Sequence, residues 1–398
     1  VIATRKLCVT LKRHRGDLAI HGGRPAFDSP LHVGRPYLGK RERLLERYNA
    51  VLDGGWVTNN GPLVQELEAK LAARIGVEHF IAVCNGSLAL QLCLRALGLG
   101  GEIIVPAFTF VATAHAVAWE GMVPVFADIS RDTHCVDPDK VEGLVSRRTS
   151  AVVGVHLWGR ACDIEGLAAM ARRHGTRLIF DAAHAFACTH RGRQIGNFGD
   201  AEVFSFHATK FFHTLEGGGV ATNDGDLAQA LRRLRNHGFT GIDQVAGLGT
   251  NAKMSEVCAA TGLSLLEEVD ELIDINLRND ARYRAALAGI PGLRLIAYDE
   301  RERSNRQFVV AEVDAARAGI SRDALVGVLR AENVLARRYF FPGCHRFEPY
   351  RSRGRPADRP LPETDHVAAR VVCLPTGPTV SEADIDTIGE IIRLACAE

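Results

Sequence analysis

The sequence predicts an α/β fold, with a large domain built on a mainly parallel sheet and a smaller C-terminal α+β domain. Three observations predict it. From Phe80 to Thr222, short apolar runs alternate with helical patterns, the mark of a parallel sheet with helices packed against it. One of those runs, Leu178-Ile179-Phe180, ends at Asp181, as a buried strand does when it delivers an acid at its carboxyl end. After Gly249-Thr250-Asn251-Ala252-Lys253-Met254 the pattern turns into a long helical stretch. The expected division is an arm over 1–36, a large domain over 37–255, and a bridging helix with a small domain over 256–398.

The elements follow in order. Residues 1–36 carry Gly22-Gly23, Pro25, Pro30 and Pro36 and read as an extended arm lying on the body. Apolar residues recur at helical spacing from Lys40 to Leu52, and Asp53-Gly54-Gly55 stops that helix. A second helix starts at Pro62, lines up Leu63, Leu67, Leu71 and Ile75, and closes at Gly76. Strands are expected at Phe80–Cys84, Glu102–Val105, Val123–Ala127, Ala151–Val155, Leu178–Asp181, Glu202–Phe206 and Gly219–Thr222. Helices are expected at Leu88–Leu97, Thr109–Trp119, Ile164–His174 and from near Asp224. One continuous helical pattern runs from Cys258 to Ile273 as the bridge. Beyond it come a strand at Gln307–Val313, a helix at Arg322–Ala331 and a closing helix at Ser381–Leu394. Arg337 to Tyr350 is rich in aromatic and basic residues and is expected to pack on something. Arg351 to Arg359 reads as a mobile loop.

Composition narrows the function classes. The 398 residues are 46% hydrophobic and 24% charged, with a formal net charge of +1, so nothing argues for nucleic acid as the partner. No apolar run is long enough to cross a bilayer, and Val1 to Ile20 lacks the apolar core of a signal peptide. A cytoplasmic location is the expectation. The ten cysteines are dispersed without a Cys-x-x-Cys, and the fifteen histidines show no compact ligand spacing, so no metal is expected.

Chemistry concentrates around Lys210. It lies between Phe204 and Phe206 on one side and Phe211 and Phe212 on the other, just before Gly217-Gly218-Gly219. Desolvation by such neighbours lowers a lysine pKa and makes the neutral amine available, which suits a Schiff base. A buried aspartate at a strand end with such a lysine one element later points to pyridoxal phosphate (PLP), the lysine holding its aldehyde and Asp181 its ring nitrogen. Asn85-Gly86-Ser87, a small-residue turn between a strand and a helix, supplies backbone N–H groups at the positive end of a helix dipole, a cup for the phosphate. Phe110 is placed to cover one face of the ring, or to serve as a core aromatic.

These residues amount to a resemblance. From about Gly22 to its end the chain resembles the DegT/DnrJ/StrS family of PLP-dependent sugar aminotransferases, a branch of the fold-type I, aspartate aminotransferase-like enzymes. The motifs are Trp56 to Pro62, Asn85 to Leu90, Pro106 to Thr113, His156-Leu157-Trp158-Gly159, Asp181 to Ala185, Ser205 to Lys210, Glu216-Gly217-Gly218 and Gly249 to Met254. The resemblance implies that Lys210 carries the cofactor and moves the proton, that Asp181 pairs with the ring nitrogen and that His184 sits beside the ring. It implies Gly86, Ser87 and Ser205 on the phosphate, Phe110 on the ring, and Asn251 on the phosphate of a neighbouring subunit's cofactor, hence a homodimer with shared sites. The substrates it implies are glutamate and a nucleotide-diphosphate keto-deoxysugar aminated at C4. Amination at C3, a keto-inositol substrate, and a non-catalytic PLP-binding regulator are the alternatives. His213, where relatives carry a polar amide, is expected to alter sugar contacts, and Gly219 stands where relatives often have alanine.

Overall fold

The computed structural model describes residues 10–352 and 360–396. The start of the arm, Cys8 and most of the loop expected at Arg351 to Arg359 lie outside the described residues.

Seven strands form the main sheet: β1 (His79–Val83), β2 (Glu102–Pro106), β3 (Val123–Ala127), β4 (Thr149–Val155), β5 (Arg177–Asp181), β6 (Ala201–Ser205) and β7 (Gly218–Thr222). Their order is β1-β7-β6-β5-β4-β2-β3. Every pairing from β6 across to β3 is parallel, while β7 runs antiparallel to both β1 and β6. The reason is local, since β7 follows β6 through the 206–217 loop with no crossover helix, and a short connection returns a strand antiparallel. The central strands are buried along nearly their whole length, as expected when helices cover both faces.

Helices α1 (Arg41–Gly54) and α2 (Pro62–Ile75) form where the spacing places them, each followed by a left-handed glycine, Gly55 and Gly76. In the sheet region α3 (Gly86–Ala96), α4 (Val111–Trp119), α5 (Ile164–His174) and α6 (Gly225–Leu234) match their expected positions to within a few residues. The bridge differs from expectation. It is two helices, α7 (Glu256–Leu266) and α8 (Val269–Ala286), broken at Glu267–Glu268. The buried Glu268 carboxylate accepts from the Tyr37 hydroxyl at 3.0 Å and the Lys40 amide at 2.9 Å. A tie to a distant segment sets that break, so periodicity along the bridge does not reveal it.

A second sheet, β8 (Leu293–Leu295), β9 (Val309–Val313) and β10 (Val371–Leu374), is antiparallel with β9 in the middle. Helices α9 (Arg322–Ala331) and α10 (Glu382–Cys396) accompany it. The described part of the arm is less extended than expected. It makes two short 3-10 turns, Arg15–Asp17 and Ala19–His21, and a strand, Leu31–His32, paired with Val334–Leu335. Glu332 holds it by accepting from the amides of Ala19 and Ala26, 2.6 Å each, beside the buried Lys12 ammonium at 3.2 Å. No helix among the described residues is long and apolar enough to cross a membrane.

Candidate active site

The site is assembled at the carboxyl ends of β5 and β6 and the amino end of α3, where open α/β sheets place ligands. Asp181 is the last residue of β5 and 6% exposed. Its carboxylate accepts from the Ala183 amide at 3.1 Å and from the Thr113 hydroxyl at 2.9 Å. Burial pushes its pKa up, opposed by those two donors and by the nearby charge of Lys210.

Lys210 follows Ser205 by five residues and is half-buried. Its Nζ lies 5.7 Å from the centre of the Phe308 ring, a residue just before β9. Burial pulls its pKa down to about 8, with the Asp181 charge pulling the other way. The expected depression is therefore present, and the ring recorded against the ammonium is Phe308, distant in sequence. Phe204, Phe206 and Phe212 pack among themselves and with Phe186 below the loop.

His184 is buried within 4.5 Å of the Phe308 ring, and it lies close to parallel with Trp158 at 5.8 Å and with Phe340 at 6.0 Å. Burial and the Lys210 charge hold it well below its ordinary pKa, so it faces the site as a neutral ring. Its carbonyl accepts from Asn305 at 3.0 Å and Gln307 at 2.7 Å, which fixes the turn after β5.

At the start of α3 the Asn85 side chain caps the Leu88 amide at 2.8 Å and the Asn85 carbonyl takes the Ala89 amide at 3.1 Å. The first-turn donors that remain are the amides of Gly86 and Ser87. Ser205, at the end of β6, closes the cup: a Cβ on Gly86 would lie 2.9 Å from its own Cβ, and a Cβ on Gly218 would lie 2.7 Å from the Gly86 nitrogen. Phe110 caps the start of α4 with its side chain 56% exposed, 6.3 Å from Phe340. Asn251 is brought near by its backbone only. Ala252 bonds through its carbonyl to the Cys84 amide at 2.8 Å, while Asn251 itself is exposed.

The residues present fit PLP. They supply a glycine and serine cup at a helix start, a buried carboxylate, a neutral flat imidazole and an amine with a lowered pKa, the four things a phosphorylated pyridine aldehyde requires. Sequence reasoning missed Thr113, Trp158, Phe308 and Phe340 as parts of the site. The density of aromatics from Arg337 to Tyr350 was the available signal, and Phe340 is indeed buried against Phe108 and Trp158. His213, expected to alter sugar contacts, has both ring nitrogens engaged within the protein. It is fully buried, with Nε2 against the Tyr37 carbonyl at 2.9 Å and Nδ1 accepting from the Leu215 amide at 3.2 Å, so it holds the lysine loop to the start of the body.

Known proteins with this arrangement are numerous. The dTDP-4-amino-4,6-dideoxy-D-glucose transaminase of Shigella dysenteriae is 35% identical over 92% of this chain and 99% of its own. The spore coat polysaccharide biosynthesis protein SpsC of Bacillus subtilis is 34% identical over 90% of this chain and 95% of its own. The crystal structure of DesI in the presence of its TDP-sugar product superposes with a TM-score of 0.92 at 51% identity, covering 96% of each chain. The model of one family matches residues 39–393, a span that holds each cup, ring and lysine position described above, and the chain belongs to that family, the DegT/DnrJ/EryC1/StrS aminotransferases.

Proposed function

We propose that this aminotransferase uses PLP to move an amino group from glutamate to C4 of a nucleotide-diphosphate 4-keto-6-deoxyglucose, giving the 4-amino-4,6-dideoxy sugar, and that it works as a homodimer. The single observation that carries the chemistry is a half-buried lysine whose ammonium lies 5.7 Å from the Phe308 ring and whose pKa is lowered to about 8, with the charge of the buried Asp181 at the end of β5 acting on it. The relatives named for a 4-amino-4,6-dideoxyglucose and the DesI complex with a TDP-sugar support the substrate class.

PLP supplies an electron-accepting ring that lets a substrate carbon release its proton. Everything else falls to the chain. Gly86, Ser87 and Ser205 would bind the phosphate. Asp181, whose charged form the Thr113 hydroxyl and the Ala183 amide favour against burial, would pair with the ring nitrogen and favour its protonated form. His184 would present a neutral ring to one face of the cofactor and Phe110 would cover the other. Lys210, with its ammonium and amine both populated near pH 8, would be the group that moves the proton. Phe308 lies against that amine. The same reading divides the chain into an arm to residue 36, a cofactor-holding body to residue 255, and a bridging and closing unit to residue 398.

Support for the dimer comes from the 239–248 segment. Its hairpin of Phe239–Gly241 with Gln244–Val245 carries Ile242 at 95% exposure, and Leu248 just beyond it is 81% exposed, apolar surface that a second copy would cover, with the exposed Asn251 close in sequence to reach the partner's phosphate. The test is transamination of glutamate with a panel of dTDP-linked 4-keto and 3-keto sugars and a keto-inositol, followed by 2-oxoglutarate release. Turnover fastest with the 4-keto-6-deoxy sugar supports the reading. A faster 3-keto sugar or keto-inositol contradicts it.

A further inference from the structure

The Trp158 indole is the inner ring of the stack beside the site. It is wholly buried, 5.4 Å from Phe340 and 14° from parallel with it, and its backbone amide donates to His184 Nδ1 at 3.4 Å. An indole nitrogen can only donate. Here it donates to Nδ1 of His134 at 3.2 Å. That leaves the His134 proton on Nε2, which donates to the Glu312 carboxylate at 3.0 Å. Glu312 belongs to β9, and Arg294 of β8 holds it from the solvent side at 3.0 and 3.2 Å. A line of bonds therefore runs from the three-stranded sheet through His134 to Trp158 and His184.

Two features argue that this line is more than filler. His134 and Trp158 both hold left-handed backbone, φ 60° and 63°, a conformation bulky residues seldom adopt and keep only where the surroundings impose it. A buried indole needs one acceptor, and any carbonyl would serve. The acceptor used is instead an imidazole committed at its other end to a different sheet. Burial and the charges of Arg160 and Arg294 keep His134 below its ordinary pKa, with Glu312 opposing, so Nδ1 stays free to accept.

We propose that His134 and Glu312 are positioning residues of this active site: they fix the Trp158 indole, and through it the plane of His184, in register with the three-stranded sheet. The proposal rests on His184 being the residue beside the cofactor ring. The relay makes the orientation of that ring wall depend on how the small sheet sits against the large one.

The test uses a Trp56→Phe, Trp119→Phe background, since those two indoles are exposed and their removal leaves Trp158 as the sole reporter. In it, His134→Leu and Glu312→Leu remove the relay, while His134→Gln keeps one acceptor and one donor. The readings are near-ultraviolet circular dichroism of the purified protein without substrate, and kcat and KM. The expectation is loss of most of the Trp158 signal in the leucine variants, kcat lower by roughly tenfold with KM changed less than about threefold, and kcat within about threefold of the background for His134→Gln. Leucine variants with unchanged signal and kcat overturn the proposal, as does a glutamine variant as impaired as the leucine one. Should the leucine variants fail to fold, nitrogen NMR of His134 in the parent decides: a neutral Nε2–H tautomer at pH 7 is required, and a cation or Nδ1–H tautomer overturns the relay. Because these signals are read without substrate, a parent that aminates no keto-sugar refutes the proposed function, whereas unchanged signals in the leucine variants refute the relay.

Discussion

At Lys210 burial and charge act in opposite directions. Burial beside Phe308 draws its pKa down to about 8 and Asp181 draws it back up, so removing the carboxylate should lower the pKa further. In cofactor-free protein the reactivity of Lys210 toward an acylating reagent should rise with pH through a midpoint near 8, and in Asp181→Asn that midpoint should move down; an upward move would contradict the electrostatic reading. In the holoenzyme the same substitution should lower kcat by about a hundredfold or more with a smaller loss of PLP affinity, because the charge acts on the ring nitrogen in the reacting state. An unchanged kcat with weakened PLP binding would make Asp181 a binding group only. Both residues were legible in the sequence because each sits at the end of a recognisable strand or loop. Thr113 and Phe308 were not, since their contacts with Asp181 and Lys210 join segments far apart in the chain.

Among the elements, the glycine run 217–219 is the most constrained. A Cβ at Gly219 would lie 2.3 Å from the Phe80 ring and 2.8 Å from the Ile81 carbonyl, so an alanine does not fit beside Phe80. Gly219→Ala should cost about 1–3 kcal/mol of stability, the usual penalty for overpacking a tight interior, read by denaturant unfolding; an equally stable variant would show that β1 and β7 can separate without cost. Helix boundaries such as Pro62 and Gly76 were legible because their signals are local. The break at Glu268 and the antiparallel β7 were not, because one is set by Tyr37 and Lys40 and the other by loop length.

At the scale of the whole molecule the site lies where two sheets meet: the main sheet provides Asp181, Ser205 and the cup, and the segment before β9 provides Phe308. Asn251 is exposed beside the cup of its own chain, and sharing across a dimer is the reading proposed. Mixing inactive Lys210→Ala subunits with subunits inactivated by Asn251→Trp should restore up to about a quarter of wild-type activity, since half of randomly exchanged dimers are mixed and each mixed dimer holds one intact site of two. Mixed dimers that form and stay inactive would contradict the shared site. The central claim, sugar amination through Lys210, is tested most directly by supplying nitrogen-15 glutamate and dTDP-4-keto-6-deoxyglucose and locating the label by NMR. The account predicts nitrogen-15 on C4 of the sugar with wild-type protein and none with Lys210→Ala; label at C3, or equal labelling by the Lys210→Ala variant, would contradict it.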